Sequence, residues 1–127
     1  MQDFRKLEVW QQARHLAVSV YESTSRFPAS EELALKIQLR RASISICANI
    51  AEGRGRPGDG DFRRFLGIAM GSASELECEL LIATDLGFLQ EISSQALIDR
   101  VGDVKRMLTG LMRTLSRARS ERLGADS

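Results

Sequence analysis

The side chains that could do chemistry in this sequence are few, and they match no catalytic or metal-binding pattern. The single histidine, His15, has no second histidine to complete an HExxH motif or the paired Glu-x-x-His motifs of a di-metal bundle site. The two cysteines, Cys47 and Cys78, form no CxxC motif, and Cys47 lies in an apolar stretch, which predicts a buried, free thiol. We therefore expect no enzymatic activity, no metal, no cofactor and no small-molecule substrate.

Two further patterns are weak as catalytic or nucleotide sites. Glu75, Glu77 and Glu79 alternate by two, and this spacing spreads carboxylates around a helix, so we expect them to face solvent. The glycine-rich segment 53–61 follows a predicted helix and lacks the Lys-Ser/Thr end of a phosphate-binding loop. Neither pattern predicts acid–base catalysis or nucleotide binding.

Arginines form the one charged pattern that could bind a ligand, although the net charge is only +1. The candidates for phosphate contacts lie in or next to the glycine-rich segment and within the last predicted helix. They are Arg54, Arg56, Arg63, Arg64, Arg113 and Arg117. Nearby acids such as Asp59 and Asp61 offset them. Two interpretations stay open: arginines that only solubilise the surface, or an RNA- or DNA-binding surface whose weak contacts add up when repeated in an oligomer.

Composition is that of an ordinary globular domain. The chain has 127 residues, of which 43% are hydrophobic and 28% charged, enough for one domain with its own core. Neither a signal-peptide pattern nor an apolar run of about 20 residues occurs, so we expect a cytoplasmic protein without a membrane partner.

Helices must position all of these residues, because apolar residues repeat at spacings of three and four and no strand-like alternation persists. Phe27-Pro28, the glycine-rich segment and Gly87 separate the periods, and Ser30 is expected to cap the second helix. We predict an all-α, antiparallel up-down-up-down four-helix bundle. It forms a single domain over residues 1–127, with helices at about 7–25, 30–53, 60–86 and 93–119 and a frayed tail at 120–127.

Several positions carry specific packing predictions. Tyr21 belongs to the predicted core stripe of the first helix, and Asn49, Glu52 and Gly53 are expected to close the second. Gly67 and Gly71 are expected to face a large side chain, because a glycine inside a helix costs about 1 kcal/mol relative to alanine. Caps for the third and fourth helices are expected at Asp59 or Asp61 and at Ser93 or Ser94.

The second helix carries two apolar stripes about half a turn apart. The first stripe consists of Leu35, Leu39, Ala42, Ile46 and Ile50, and the second stripe of Leu33, Ile37, Ile44, Ala48 and Ala51. One stripe serves a bundle core. The second favours contact with another copy of the chain, although a helix that is central in its own bundle would also explain two apolar faces.

Arg40 and Arg41 interrupt this apolar helix. In an antiparallel helix pair, Arg41 comes level with Glu75 of the third helix. We therefore predict that Arg40 or Arg41 pairs with Glu75 or Glu79, within one subunit or across an interface; a solvated pair would contribute only about 0 to 1 kcal/mol.

Several segments between about residues 4 and 89 resemble a known protein family and occur in the order found in that family. These are FRKLEVWQQA, the turn FP, QLRRASISICANIAEG, FLGIAMGSASELECEL and LGFL. They resemble the four-helix-bundle proteins encoded by intervening sequences in bacterial 23S ribosomal RNA genes. Relatives of that family include the accessory variability determinant of diversity-generating retroelements.

The resemblance implies a homo-oligomer, namely a pentamer of bundles arranged as a ring or barrel, with no established enzymatic activity. For the retroelement branch it implies a basic surface that binds nucleic acid and a reverse transcriptase. On this basis we expect a non-enzymatic homo-oligomeric protein whose principal partner is itself, with a nucleic-acid-binding accessory protein as the alternative.

Overall fold

The computed structural model describes residues 3–28 and 33–125. They form a short 3-10 helix at Phe4–Lys6 and four α-helices: α1 (Glu8–Thr24), α2 (Leu33–Arg54), α3 (Asp59–Asp85) and α4 (Glu91–Ala125). These residues contain no strand, and the all-α prediction is confirmed. The predicted cap at Ser30 lies outside the described residues.

The four helices enclose one core. Helix α1 contacts α2 and α4, and α3 contacts the same two helices. The side chains buried between them come from all four helices and repeat at the spacings of three and four expected from the sequence. The largest are Leu16, Leu39, Ile46, Ile50, Leu66, Leu76, Leu80 and Leu108.

Helices α2 and α3 approach closely because the residues between them are small. The Oγ atoms of Ser45 and Ser72 lie 2.8 Å apart, and a Cβ placed on Gly53 would come within 2.7 Å of Cβ of Phe65. Helix α2 ends at Arg54, one residue beyond the predicted end at Gly53. Gly53 lies in the last turn, where the absence of a side chain permits the close approach to α3.

Gly67 and Gly71 differ from Gly53. Both lie on the exposed side of α3, and a Cβ at either position would meet no described atom within 4 Å. The expectation that each faces a large side chain is wrong for the described residues of one chain, because α2 and α4 pack against other sides of α3.

The turn between α3 and α4 uses Gly87, as predicted. Its φ of 80° is in the left-handed region, the N–H of Gly87 donates to the carbonyl of Thr84, and the N–H of Phe88 donates to that of Ala83. This is the hydrogen-bond pattern of a glycine-terminated helix.

Helix α4 differs from its prediction at both ends. It begins at Glu91, so Ser94 lies inside the helix, where it is buried and accepts a 2.6 Å hydrogen bond from Oγ1 of Thr84. It extends to Ala125 rather than fraying after residue 119, and Arg122 donates to Asp59 at 3.0 Å near the start of α3. Asp59 and Asp61 lie in the first turn of α3, whose N-cap is Gly58.

Candidate interaction surfaces

The two stripes of α2 have opposite surroundings. The first stripe lies in the core, with Leu39, Ile46 and Ile50 fully buried. In the second stripe Ile37 is 45% exposed and Ile44 46% exposed, with Leu33 and Ala48 also exposed and Ala51 half-buried. The alternative in which both stripes lie inside one bundle is therefore wrong for this chain.

Helix α1 extends the exposed apolar surface. Val18 and Tyr21 are exposed and line a groove together with Ile44 and the half-buried Cys47. The prediction that Tyr21 belongs to the core is wrong, because Val20 and Thr24 take the inward positions at this end of α1. We call the second stripe together with Val18 and Tyr21 the α1–α2 surface. The sequence offered one signal for it, namely the apolar pair at positions 17 and 18, next to the core stripe.

Arg40 is engaged with α1 and not with α3. Its guanidinium donates to Oγ1 of Thr24 at 2.9 Å and to the carbonyl of Tyr21 at 3.2 Å, and lies 4.4 Å from the centre of the Tyr21 ring. It thereby adds a second donor to a carbonyl that already accepts from the N–H of Ser25, and it packs on the Tyr21 ring. Arg41 is exposed and forms no ion pair with any described residue. The predicted pairing of either arginine with Glu75 or Glu79 does not form among the described residues of one chain.

Glu79 does not face solvent as expected. It is buried, and its Oε2 atom has no hydrogen-bond partner among the described residues. Burial, and secondarily the exposed carboxyl of Glu75 one turn earlier, raises the pKa of Glu79 to about 7. The residue is buried because α2 and α3 approach closely along this side of α3.

The arginines beside the glycine-rich segment are held by neighbouring acids and rings. Arg56 donates to Glu52 at 2.7 Å and lies 3.7 Å from Asp61, and Arg64 is 2.9 Å from the same Asp61. Both guanidinium groups also lie over the ring of Phe65. Arg54 similarly lies 5.5 Å from the centre of the Phe62 ring. These contacts neutralise much of the predicted basic patch.

The remaining candidates for phosphate contacts form a groove between α3 and α4. It is lined by Arg63, Thr109, Met112, Arg113, Ser116 and Arg117. Arg63 donates to Oγ of Ser116 at 2.7 Å, whereas Arg113 and Arg117 are exposed and form no ion pair with a described residue. We call these six residues the α3–α4 basic groove. It brings together three of the six predicted arginines and is lined by no acid.

Groups capable of nucleophilic or metal chemistry do not converge. His15 is exposed on α1, and burial raises the pKa of the Cys47 thiol to about 11, which keeps it protonated. Cys47 and Cys78 are both free. Among residues 3–28 and 33–125, no group of three or more His, Cys, Asp or Glu side chains is placed to hold a metal ion. None of the helices they form is both long and apolar enough to span a membrane.

The fold and the sequence were compared with those of known proteins. A crystal structure of a protein of unknown function from the S23 ribosomal protein family of Bacteroides thetaiotaomicron VPI-5482 is similar, with a TM-score of 0.75 and 21% identity over 82% of this chain and 97% of that chain. At this identity the likeness shows the fold alone. No curated protein sequence matches the chain. The family model for the 23S rRNA-intervening sequence protein matches residues 5–110. In agreement with the resemblance of its sequence segments, the chain belongs to the 23S rRNA-intervening sequence protein family.

Proposed function

We propose that this chain is a non-enzymatic building block of a homo-oligomer of four-helix bundles. The observation that carries the proposal is the exposed α1–α2 surface, in which Ile37, Ile44 and Val18 are each about half accessible to solvent. Scattered exposed apolar residues are common, but a contiguous group on neighbouring helices is typical of an interface. A second copy of the chain is the partner that is always present at the same concentration.

The energetic reason is the size of these side chains. Full burial of one isoleucine or valine contributes about 1.5 to 3 kcal/mol relative to exposure. Each of these residues is already half-buried, so each would add part of that amount. Several such contributions would offset the loss of translational and rotational freedom on association.

We also propose the antiparallel up-down-up-down arrangement of the helices. For α2 and α3, the contacts Gly53 to Phe65 and Ser45 to Ser72 support it, because one residue number falls as the other rises. For α3 and α4, the bonds Thr84 to Ser94 and Arg63 to Ser116 follow the same trend.

Five subunits in a closed ring are the assembly that the family resemblance implies. Closure around an axis requires head-to-tail contacts, in which each subunit uses two different surfaces. The α1–α2 surface is proposed as one of them. A cytoplasmic location fits a protein whose two cysteines are both free.

Light scattering coupled to size exclusion tests the assembly. We expect the protein at low micromolar concentration to elute as an oligomer with the mass of five chains, and the double variant Ile37→Glu with Ile44→Glu to elute as a single subunit. Ile92→Glu is the matched control, because Ile92 is 87% exposed and lies outside the α1–α2 surface. A wild-type protein that is a single subunit at this concentration would overturn the proposal.

Nucleic-acid binding is the second candidate function, and the α3–α4 basic groove favours it. Arg113 and Arg117 project from one face of α4 with no acid in the groove. In an oligomer the groove is repeated, so that phosphate contacts that are weak singly would add.

Binding of RNA and DNA across a salt series tests this candidate. We expect affinity to fall steeply with salt and the slope to decrease by about 2 in the double variant Arg113→Ala with Arg117→Ala. Arg56→Ala is the matched control, because this arginine is already paired with Glu52. Absence of binding to either nucleic acid at low salt would exclude this function.

A further inference from the structure

One side of α3 carries an unpartnered row of residues. The row follows the spacing 3-4-3-4-3, which places its members along one line of a helix. All of its members are exposed: Ile68, Gly71, Glu75, Cys78, Ile82 and Asp85. We call this set the α3 row. It has the spacing of a helix-packing seam, but no helix of the described subunit covers it.

We infer that the α3 row is the surface on which the second stripe of another copy docks, with Arg41 of that copy placed at Glu75. The inference rests on the proposed homo-oligomer and adds to it the second of the two surfaces that head-to-tail assembly needs.

Shape supports the match. The second stripe projects large side chains at Ile37 and Ile44, on either side of Arg41. The α3 row has a gap at Gly71, where a Cβ would meet no described atom within 4 Å. With Arg41 set opposite Glu75, Ile37 falls opposite Gly71 if the two helices run parallel. If they run antiparallel, Ile44 falls one residue from Gly71, opposite Ser72.

Charge supports the same register. Arg41 lies in the middle of the second stripe, exposed and without an ion pair among the described residues. In the middle of the α3 row stands Glu75, exposed and without an ion pair among the described residues. A guanidinium presents several N–H donors and would bind this carboxylate through two of them. An exposed, unpaired cation on one surface therefore corresponds to an exposed, unpaired carboxylate on the other.

The first experiment fills the gap at Gly71. A Cβ at Gly71 meets no described atom within 4 Å, whereas the leucine of Gly71→Leu would collide with an isoleucine of a docked copy, so the apparent dissociation constant should rise about tenfold or more. Gly110→Leu is the matched control, since Gly110 is an exposed glycine inside α4 with equal free space and should assemble like wild type. Wild-type assembly of Gly71→Leu, in a protein that does oligomerise, would overturn the inference and leave the homo-oligomer standing.

The second experiment uses the native Cys78 of the α3 row. A disulfide needs Cα atoms about 4.4 to 6.8 Å apart. Under mild oxidation, Ile37→Cys should cross-link neighbouring copies through Cys78 if the docked helices run antiparallel, and Ile44→Cys should do so if they run parallel. The product should be a ladder of linked chains on a non-reducing gel, and it should disappear when Cys78→Ser is added.

Ile92→Cys controls for random collision, because this position is more exposed than either isoleucine of the second stripe. If neither stripe variant cross-links above that control while the chains remain assembled, the α3 row is not the docking surface. If the wild-type chains do not assemble at all, it is the proposed homo-oligomer that fails.

Discussion

The two apolar faces of α2 contain the same residue types and have opposite surroundings. The first stripe and the second stripe are both built from isoleucine, leucine and alanine, yet Ile46 is fully buried whereas Ile44, two residues earlier, is 46% exposed. The difference comes from the neighbours: α1 and α3 cover one side of α2, and no described residue of the subunit covers the opposite side. Whether an apolar residue on a helix lies in the core or on the surface therefore depends on what lies opposite.

The largest expected effect comes from truncating the two isoleucines separately. Ile46→Ala should lower the free energy of unfolding by about 2 to 5 kcal/mol, because it leaves a cavity in the core. Ile44→Ala should cost the folded subunit less than about 1 kcal/mol. Urea unfolding at two protein concentrations measures this. The loss of unfolding free energy caused by Ile46→Ala should be the same at both protein concentrations. The loss caused by Ile44→Ala should depend on protein concentration, because this residue acts through assembly.

The second effect compares a glycine in a helix contact with one on an open surface. Gly53→Ala should destabilise the fold by about 1 to 3 kcal/mol, because its Cβ would come within 2.7 Å of Cβ of Phe65 and force α2 and α3 apart. In Gly110→Ala the added Cβ has no described atom within 4 Å, so this variant should stabilise α4 by up to about 1 kcal/mol. Thermal melts of the two variants should shift in opposite directions. A Gly53→Ala protein that melts like wild type would mean that the two helices separate at little cost.

The third effect concerns Glu79, which lies on the side of α3 that α2 approaches. Its ordinary pKa is 4.5 and its pKa in the folded chain is about 7, so the folded state holds the proton more tightly. Stability contributed by this group is therefore greatest below pH 4.5 and is lost as the pH rises toward 7. The charged group that acts on it is Glu75 on α3, while the register set by Ser45 and Ser72 places the uncharged Gln38 of α2 level with it.

Glu79→Gln should remove this dependence. Relative to wild type, the variant should gain about 1 to 2 kcal/mol of stability between pH 5 and pH 8, with allowance for solvent at the edge of the helix pair. Urea unfolding at both pH values measures the gain, in the Ile37→Glu with Ile44→Glu background so that assembly does not contribute. Glu121→Gln, on the exposed end of α4, is the control. An equal difference between Glu79→Gln and wild type at both pH values would contradict the raised pKa.

The smallest expected effect is that of a charged residue near the end of α2. Arg56 is held by Glu52 and Asp61 in solvent, where such pairs contribute about 0 to 1 kcal/mol. Arg56→Ala should therefore shift the melting temperature by no more than a few degrees and leave assembly unchanged. Substitutions of the apolar residues in the second stripe should, by contrast, weaken assembly. A large loss of stability would show that the ring of Phe65, over which Arg56 lies, needs this cover.

Some of the candidate surfaces were accessible from the sequence. Helical periodicity separated the two stripes of α2, because side chains repeat every 3.6 residues whatever the helix packs against. It could not place Glu79, whose burial depends on how closely α3 approaches α2. The alternation of Glu75, Glu77 and Glu79 predicted three solvated carboxylates, but only the partner helix determines which of them lies inward.

The arginines show the same limit. Their positions in the sequence predicted one patch at the glycine-rich segment and another on the last helix. The first is offset by Glu52 and Asp61, which lie four residues before Arg56 and three residues before Arg64, a spacing that the sequence already contains. In the second, Arg63 of α3 joins Arg113 and Arg117 of α4, although more than 40 residues separate them along the chain.

By itself, the sequence determined the four helical periods, the turn at Gly87 and the existence of a second apolar face on α2, because these depend on local backbone preference and on the repeat of the helix. Only the tertiary structure decided which face of α2 is buried and which charged side chains pair. It also decided that a side chain at position 53 would clash with α3, whereas position 71 faces open space. These features depend on the distances between helices, and those distances result from the packing of all four together.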